Sequence, residues 1–338
     1  MPKDDLGSSC VPLASNGQPI STASVRDDRS RLMVLSSPKA GATLSMRLML
    51  ARLNLTALAK GYGGYPLWYT HSVFDRQPGR APPESVEALR PCAAGIDWLC
   101  IQLVRNPLDR AVSGYIHSLG HPEAISLHFE ELKGACGRNV PAIECQRNAS
   151  FAEFARALTA RAQRRTRSAG DGHFMPQALG PAAIGRSAPR YPGVLRVPIE
   201  MMSEADGADC APLAALQPWL LPEAEAAAGF SEHLNHYLVQ AQTAPNGSEH
   251  WPFPRVQAAI RAHAVPTYSS FWTNQSFCRD VVGCLYATDV ALYVASCTDA
   301  ASPLQHCAAY RRACERELER LHVICGIATP SSARPSNR

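Results

Sequence analysis

Apolar positions along this 338-residue chain fall into short runs separated by longer polar stretches rich in proline and glycine. Residues 31–36, Arg-Leu-Met-Val-Leu-Ser, predict a first strand, and a turn of small residues follows from Ser37 to Ala42. A helix is predicted over 43–55, where Leu44, Leu48, Ala51 and Leu55 recur on one face at the helical period. From Trp98 to Val104 the run is apolar on both faces, interrupted only by Gln102, the pattern of a buried strand. That strand ends at Arg105-Asn106-Pro107, where Asn106 is placed to cap a helix and Pro107 to open it. Ala111, Val112, Tyr115 and Ile116 then form the apolar face of that helix. A further strand is expected at 193–197, and the short run 65–69 fits another strand of the same sheet. Helical patterns cover 150–167, 255–264, 279–295 and 303–322, and the segments 76–92, 168–192 and 240–254 read as loops. Residues 1–30 read as a disordered leader and 326–338 as a disordered tail, leaving one domain over 31–325. Strand, tight turn and helix in that order, twice over, predict an α/β fold: a central, mostly parallel sheet flanked by helices in a single domain.

Composition changes this picture little. With 46% apolar residues the chain can bury a substantial core, and a net charge of +4 is too small to argue for nucleic acid. No apolar run reaches the roughly 18–20 residues that span a bilayer, and the N-terminus lacks the basic start and apolar stretch of a signal peptide. Read alone, these features point to the cytoplasm. Two others favour the secretory lumen. The chain has twelve cysteines, many for a reducing compartment. Cys136/Cys145, Cys278/Cys284 and Cys307/Cys314 are close enough in sequence to close short loops, but spacing alone assigns no bridge. No twin CxxC spacing indicates a structural metal. Four N-x-S/T sequons stand at Asn54, Asn148, Asn246 and Asn274, where chance predicts roughly one.

The first segment that carries chemistry is Ser36-Ser37-Pro38-Lys39-Ala40-Gly41-Ala42-Thr43-Leu44. Its lysine precedes the glycine, unlike the ATP-binding pattern GxxxxGK(S/T). The physics is related, since small residues let backbone N–H groups approach an anion, a helix start adds partial positive charge and Lys39 adds a full one. The second segment runs from Arg105 to Tyr115. Ser113 lies about 9 Å along the helix from Pro107, so an arginine fork and a hydroxyl can meet one phosphate from two sides. Each segment alone also reads as an ordinary strand-to-helix junction.

Together the two segments resemble the sulfotransferase family, whose first loop has the form P-K-x-G-x-T and whose second reads R-x(7)-S after a buried strand. Asp171-Gly172-His173-Phe174-Met175-Pro176-Gln177 is similar to the H-W/F-x-P-Q element of Golgi carbohydrate sulfotransferases. The stretch from Tyr191 to Glu200 resembles the strand that follows it there, and the segment from Leu285 to Tyr293 resembles a late Y-x-x-D-x-x-x-F/Y helix. The resemblance implies a P-loop-like sulfotransferase fold and 3'-phosphoadenosine-5'-phosphosulfate (PAPS) as donor, with no metal. It implies that Pro38, Lys39, Ala40, Gly41, Ala42, Thr43 and Leu44 hold the 5'-phosphosulfate, and that Arg105 and Ser113 hold the 3'-phosphate. The acceptor it implies is a carbohydrate hydroxyl, with no nucleic-acid partner and with a compartment, the Golgi or secretory lumen, that agrees with the sequons and cysteines. Ala40 and Ala42 depart from the polar residues common at those positions.

Sulfuryl transfer needs an in-line acceptor, a base for its proton and positive charge on the departing phosphate. Lys39 suits the last role. For the base, His71 follows the predicted strand at 65–69, and His173 lies in the H-F-x-P-Q element; Glu84 and Glu87 are outside alternatives. Tyr62, Tyr65, Trp68 and Tyr69 offer faces for sugar rings, or simply pack. Arginines at 156, 161, 164, 165 and 167 offer either a grip on an anionic polysaccharide or a solvated helix face. Transfer to protein tyrosine or a small alcohol, a P-loop kinase, and a non-catalytic nucleotide or glycan binder are the competing readings. A kinase calls for Ser/Thr directly after the loop lysine and an acidic residue on the second strand; here those places hold Ala40 and Arg105.

Overall fold

A computed structural model describes residues 23–27, 31–37, 40–41, 57–58, 92, 98–120, 141, 144–145, 148–163, 174, 177, 194–203, 250–261 and 268–329. Its described strands form one sheet in the order β1-β2-β3-β4: β1 (Ala23–Asp27), β2 (Leu32–Ser36), β3 (Leu99–Val104) and β4 (Val194–Pro198). β2, β3 and β4 are parallel, with Val34 opposite Ile101 and Ile101 opposite Leu195. The α/β class expected from the sequence is therefore present. β1 is a correction: residues 23–27 were expected in a disordered leader, yet they pair antiparallel with β2 along its full length. Their sequence, Ala-Ser-Val-Arg-Asp, has one large apolar residue and carries little strand signal of its own. A neighbouring strand supplies the hydrogen-bonding partner that the local pattern does not reveal.

β3 is buried on both faces, as its apolar run predicts. Ile101 and Leu103 join Leu32 and Val34 in the main core, and Cys100 joins Met33 and Leu35 on the other face. That second face is tied down by a disulfide from Cys100 to Cys92.

After β3 comes α1 (Pro107–Gly120), then α2 (Phe151–Gln163) and α3 (Phe253–Arg261). Asn106 caps α1 as expected, its side-chain oxygen accepting the Leu108 N–H at 3.0 Å. α2 opens with a capping box: the Ser150 N–H donates to the Glu153 carboxylate at 2.7 Å, and the Glu153 N–H donates back to Ser150 Oγ at 3.3 Å. Buried Tyr115 joins these helices. Its ring meets Phe151, Phe154, Phe253 and Phe271 at centroid separations of 5.4, 5.5, 5.9 and 6.3 Å. Its hydroxyl donates to the Ala149 carbonyl at 3.0 Å.

The C-terminal region departs from the sequence reading in its details. One helix was expected over 279–295. Instead, α4 (Gln275–Cys278) runs into a π-helical segment (Arg279–Leu285), and α5 (Ala287–Thr298) leaves at 86° after a break at Tyr286. Val281, Val282 and Gly283 are weak helix formers, and the wider π turn is closed by the Tyr286 N–H on the Val281 carbonyl at 3.3 Å. A 3-10 turn (Pro303–His306) and α6 (Ala308–Cys325) complete the described chain, where a single helix over 303–322 was expected. Gly326 ends α6 at φ 65°, and the chain continues in order as far as buried Thr329, beyond the boundary set for a disordered tail.

Disulfides join Cys278 to Cys325 and Cys297 to Cys314, and Cys145, Cys284 and Cys307 are disulfide-bonded as well. The short loops suggested by sequence for Cys278/Cys284 and Cys307/Cys314 are therefore not formed. Cys278 and Cys314 are bonded instead to cysteines 47 and 17 positions away. Cys136 lies outside the described residues. The bridges suit an oxidising compartment. Among the described residues, no single helix is long and apolar enough to cross a membrane.

Candidate functional site

Because β2, β3 and β4 are parallel, their carboxyl ends lie on one edge of the sheet, where α/β folds place ligands. Three chain segments meet there. After β2, buried Ser36 and Ser37 lead into a turn in which the Ala40 N–H donates to the Ser37 carbonyl at 2.9 Å. Gly41 follows at φ 94°, a conformation that side chains resist. A Cβ at Gly41 would stand 2.9 Å from Leu103 Cδ1 and 3.0 Å from Ile199 Cγ2. The loop backbone therefore rests directly against the end of β3 and the residue after β4.

At the end of β3, Arg105 is held by Gln177. The Arg105 N–H donates to Gln177 Oε1 at 3.0 Å, and Gln177 Nε2 donates to the Arg105 carbonyl at 2.7 Å. Ser37 Oγ donates to the Gln177 backbone carbonyl at 3.3 Å, so this one residue touches both junctions. The Arg105 guanidinium lies 5.1 Å from the ring centre of Tyr268. Arg105 is 3% exposed and Ser113, within α1, is 5% exposed.

Behind Arg105 lies a network of buried charge that fixes the start of α1. The Asn106 N–H donates to Glu200 Oε1 at 2.7 Å, and Asn106 Nδ2 donates to Glu317 Oε2 at 3.0 Å. Arg320 bridges Asp109 at 2.8 Å and also contacts Glu317. Tyr293 donates to Glu200 Oε2 at 2.9 Å. Arg110 forms a buried pair with Asp289 at 3.3 Å, beneath the Tyr286 ring. Burial, then the neighbouring carboxylates of Glu317 and Asp109, push the Glu200 carboxyl up to about 7. Burial and Glu200 together hold the Tyr293 hydroxyl well above its ordinary range. For Arg320, burial disfavours the charge, but the Asp109 and Glu317 carboxylates outweigh it and raise its pKa.

Of the residues singled out by sequence, Ala40, Gly41, Arg105 and Ser113 are on this edge or the helix leaving it. Pro38, Lys39, Ala42, Thr43, Leu44, His71 and His173 lie outside the described residues, as do the aromatic cluster at 62–69 and Glu84 and Glu87. Arg156 is exposed and Arg161 partly exposed on α2; the arginines at 164, 165 and 167 are also outside. The late Tyr286/Asp289/Tyr293 motif is buried against Arg110 and Glu200, where it sets the position of α1. Glu317 and Arg320 were missed. They lie one turn apart on a charged helix, a pattern indistinguishable from a solvated face. Glu200 had a signal, since it closes the stretch that runs on from β4.

A tight glycine turn, an arginine at the next strand end and a hydroxyl on the following helix are residue types from which anion sites are built. Among the described residues, no group of three or more histidine, cysteine or carboxylate side chains is arranged to hold a metal ion.

These features define an α/β protein with its candidate anion site at the carboxyl ends of parallel strands. Residues 23–185, just under half of the chain, match the sequence model of the sulfotransferase family, and the match supports a sulfotransferase. It begins at the first residue of β1 and spans both predicted phosphate loops. No curated protein and no solved structure matches the chain significantly.

Proposed function

We propose that this protein is a PAPS-dependent sulfotransferase of the carbohydrate-modifying type, working in the Golgi or secretory lumen. The observation that carries the reading is the clamp of Gln177 on the Arg105 backbone beside the Ser37–Gly41 loop. It brings together the three elements whose order in the chain resembles that family. PAPS supplies the sulfuryl group. The backbone from Pro38 to Leu44 and the Lys39 ammonium bind the 5' end, and Arg105 and Ser113 bind the 3'-phosphate. Lys39 stabilises the negative charge that gathers on the 5'-phosphate as the sulfuryl group leaves. Arg105 and Ser113 act at a distance by orienting the nucleotide. His71 takes the acceptor proton, with His173 as the alternative base, and neither role requires a metal. The disulfides and the exposed sequon residues Asn148 and Asn274 favour the lumen. The test is transfer of radiolabelled sulfate from PAPS to a panel of glycans, glycosaminoglycans, tyrosine peptides and small alcohols. The expected result is label on a glycan with wild type and none with Lys39→Ala. Label on a tyrosine peptide or small alcohol alone would reassign the acceptor, and nucleotide binding without transfer would leave a binding protein.

A further inference from the structure

We propose that Gln177 is a positioning residue for the donor: its side-chain amide sets the backbone of Arg105 and so aims the guanidinium at the nucleotide's 3'-phosphate. The proposal rests on the reading of Arg105 given above. The parallel ladder between β3 and β4 ends at Val104 opposite Pro198. Arg105, one residue further on, has left the ladder pairing that would fix its peptide groups. Gln177 supplies both missing partners, accepting from the Arg105 N–H at 3.0 Å and donating to its carbonyl at 2.7 Å. The planar amide thus spans both sides of the Arg105 Cα and restricts the two dihedrals that direct its side chain.

Gln177 is 1% exposed. A buried amide costs stability unless both its polar ends are satisfied, and here both are satisfied by the same arginine. The Gln177 carbonyl in turn accepts from Ser37 Oγ at 3.3 Å. One residue, remote in sequence from both junctions, therefore sets their separation. A nucleotide gripped at its two phosphate-bearing ends depends on that spacing.

Calorimetry with two probes tests this: adenosine 3',5'-bisphosphate and adenosine 5'-monophosphate, which lacks the 3'-phosphate. Wild type is expected to prefer the bisphosphate. Gln177→Leu, which removes both hydrogen bonds, is expected to weaken the bisphosphate about 10- to 100-fold and leave the monophosphate unchanged. Gln177→Glu keeps the acceptor but loses the donor when ionised. It is expected to recover bisphosphate affinity as pH falls from about 8 to about 5, because the protonated carboxyl again donates to the Arg105 carbonyl. A merely structural role would lower both nucleotides together and show no such recovery. Equal losses for both probes, or no loss for either, overturn the proposal. A wild type that does not distinguish the two nucleotides overturns the Arg105 assignment itself, and the Gln177 role with it. The wild-type titration alone separates these two failures.

Discussion

The sheet edge and the C-terminal helices are built by different means. At the edge, position is set by backbone: parallel ladders, a glycine turn lying on Leu103 and Ile199, and an amide that completes the pairing of Arg105. In the region from α4 to α6, position is set by side chains: two disulfides, buried Tyr286, Tyr293 and Tyr310, and ion pairs reaching back to α1. The family match ends at residue 185, so the second region lies beyond it. That region nonetheless supplies Glu317, Arg320 and Asp289, which hold Asn106, Asp109 and Arg110, and Tyr293, which holds Glu200. The residues proposed to bind the nucleotide and the C-terminal side chains that hold α1 thus come from different parts of the chain.

The contrast is open to direct tests. Asp289→Ala has the largest expected effect. It removes the buried carboxylate paired with the Arg110 guanidinium and is expected to cost about 3–5 kcal/mol in urea unfolding. A cost below about 1 kcal/mol would mean that the pair does not lock α1 to α5. Gly41→Ala comes next, at about 1–3 kcal/mol from the strained conformation. It is expected to damage nucleotide binding more than stability, since the displaced loop belongs to the edge. Unchanged binding would show that the turn does not position the ligand.

The smallest effect is a pH dependence. Glu200 is raised from 4.5 to about 7, so between these values the folded protein keeps a proton that the unfolded chain has lost. Stability is then expected to fall as pH rises through that window. Glu200→Gln, which keeps an acceptor for the Asn106 N–H, is expected to flatten that part of a melting-temperature profile. An unaltered slope would assign it to other groups.

What the sequence disclosed and what it hid follow the same division. β2, β3 and β4, the Asn106 cap and the turn at Gly41 are local features, written in consecutive apolar runs, a capping residue before proline and a glycine among small residues. Gln177 was visible as part of a motif, but its partner, 72 positions away, was not. The disulfide from Cys278 to Cys325 spans 47 positions, while the nearer Cys284 was the more inviting partner by spacing. β1 was hidden because its sequence is polar and its strand state comes from β2. Glu317 and Arg320 were hidden because a partly buried ion pair on a helix has the same sequence signature as an exposed one.

If Arg105 holds the 3'-phosphate of a doubly phosphorylated nucleotide, as proposed, Arg105→Ala removes that contact and tests the reading most directly. Titrated calorimetrically with adenosine 3',5'-bisphosphate, the variant is expected to bind at least about 100-fold more weakly than wild type, as loss of a charge-assisted arginine fork requires. Affinity equal to wild type would mean that Arg105 does not hold the 3'-phosphate.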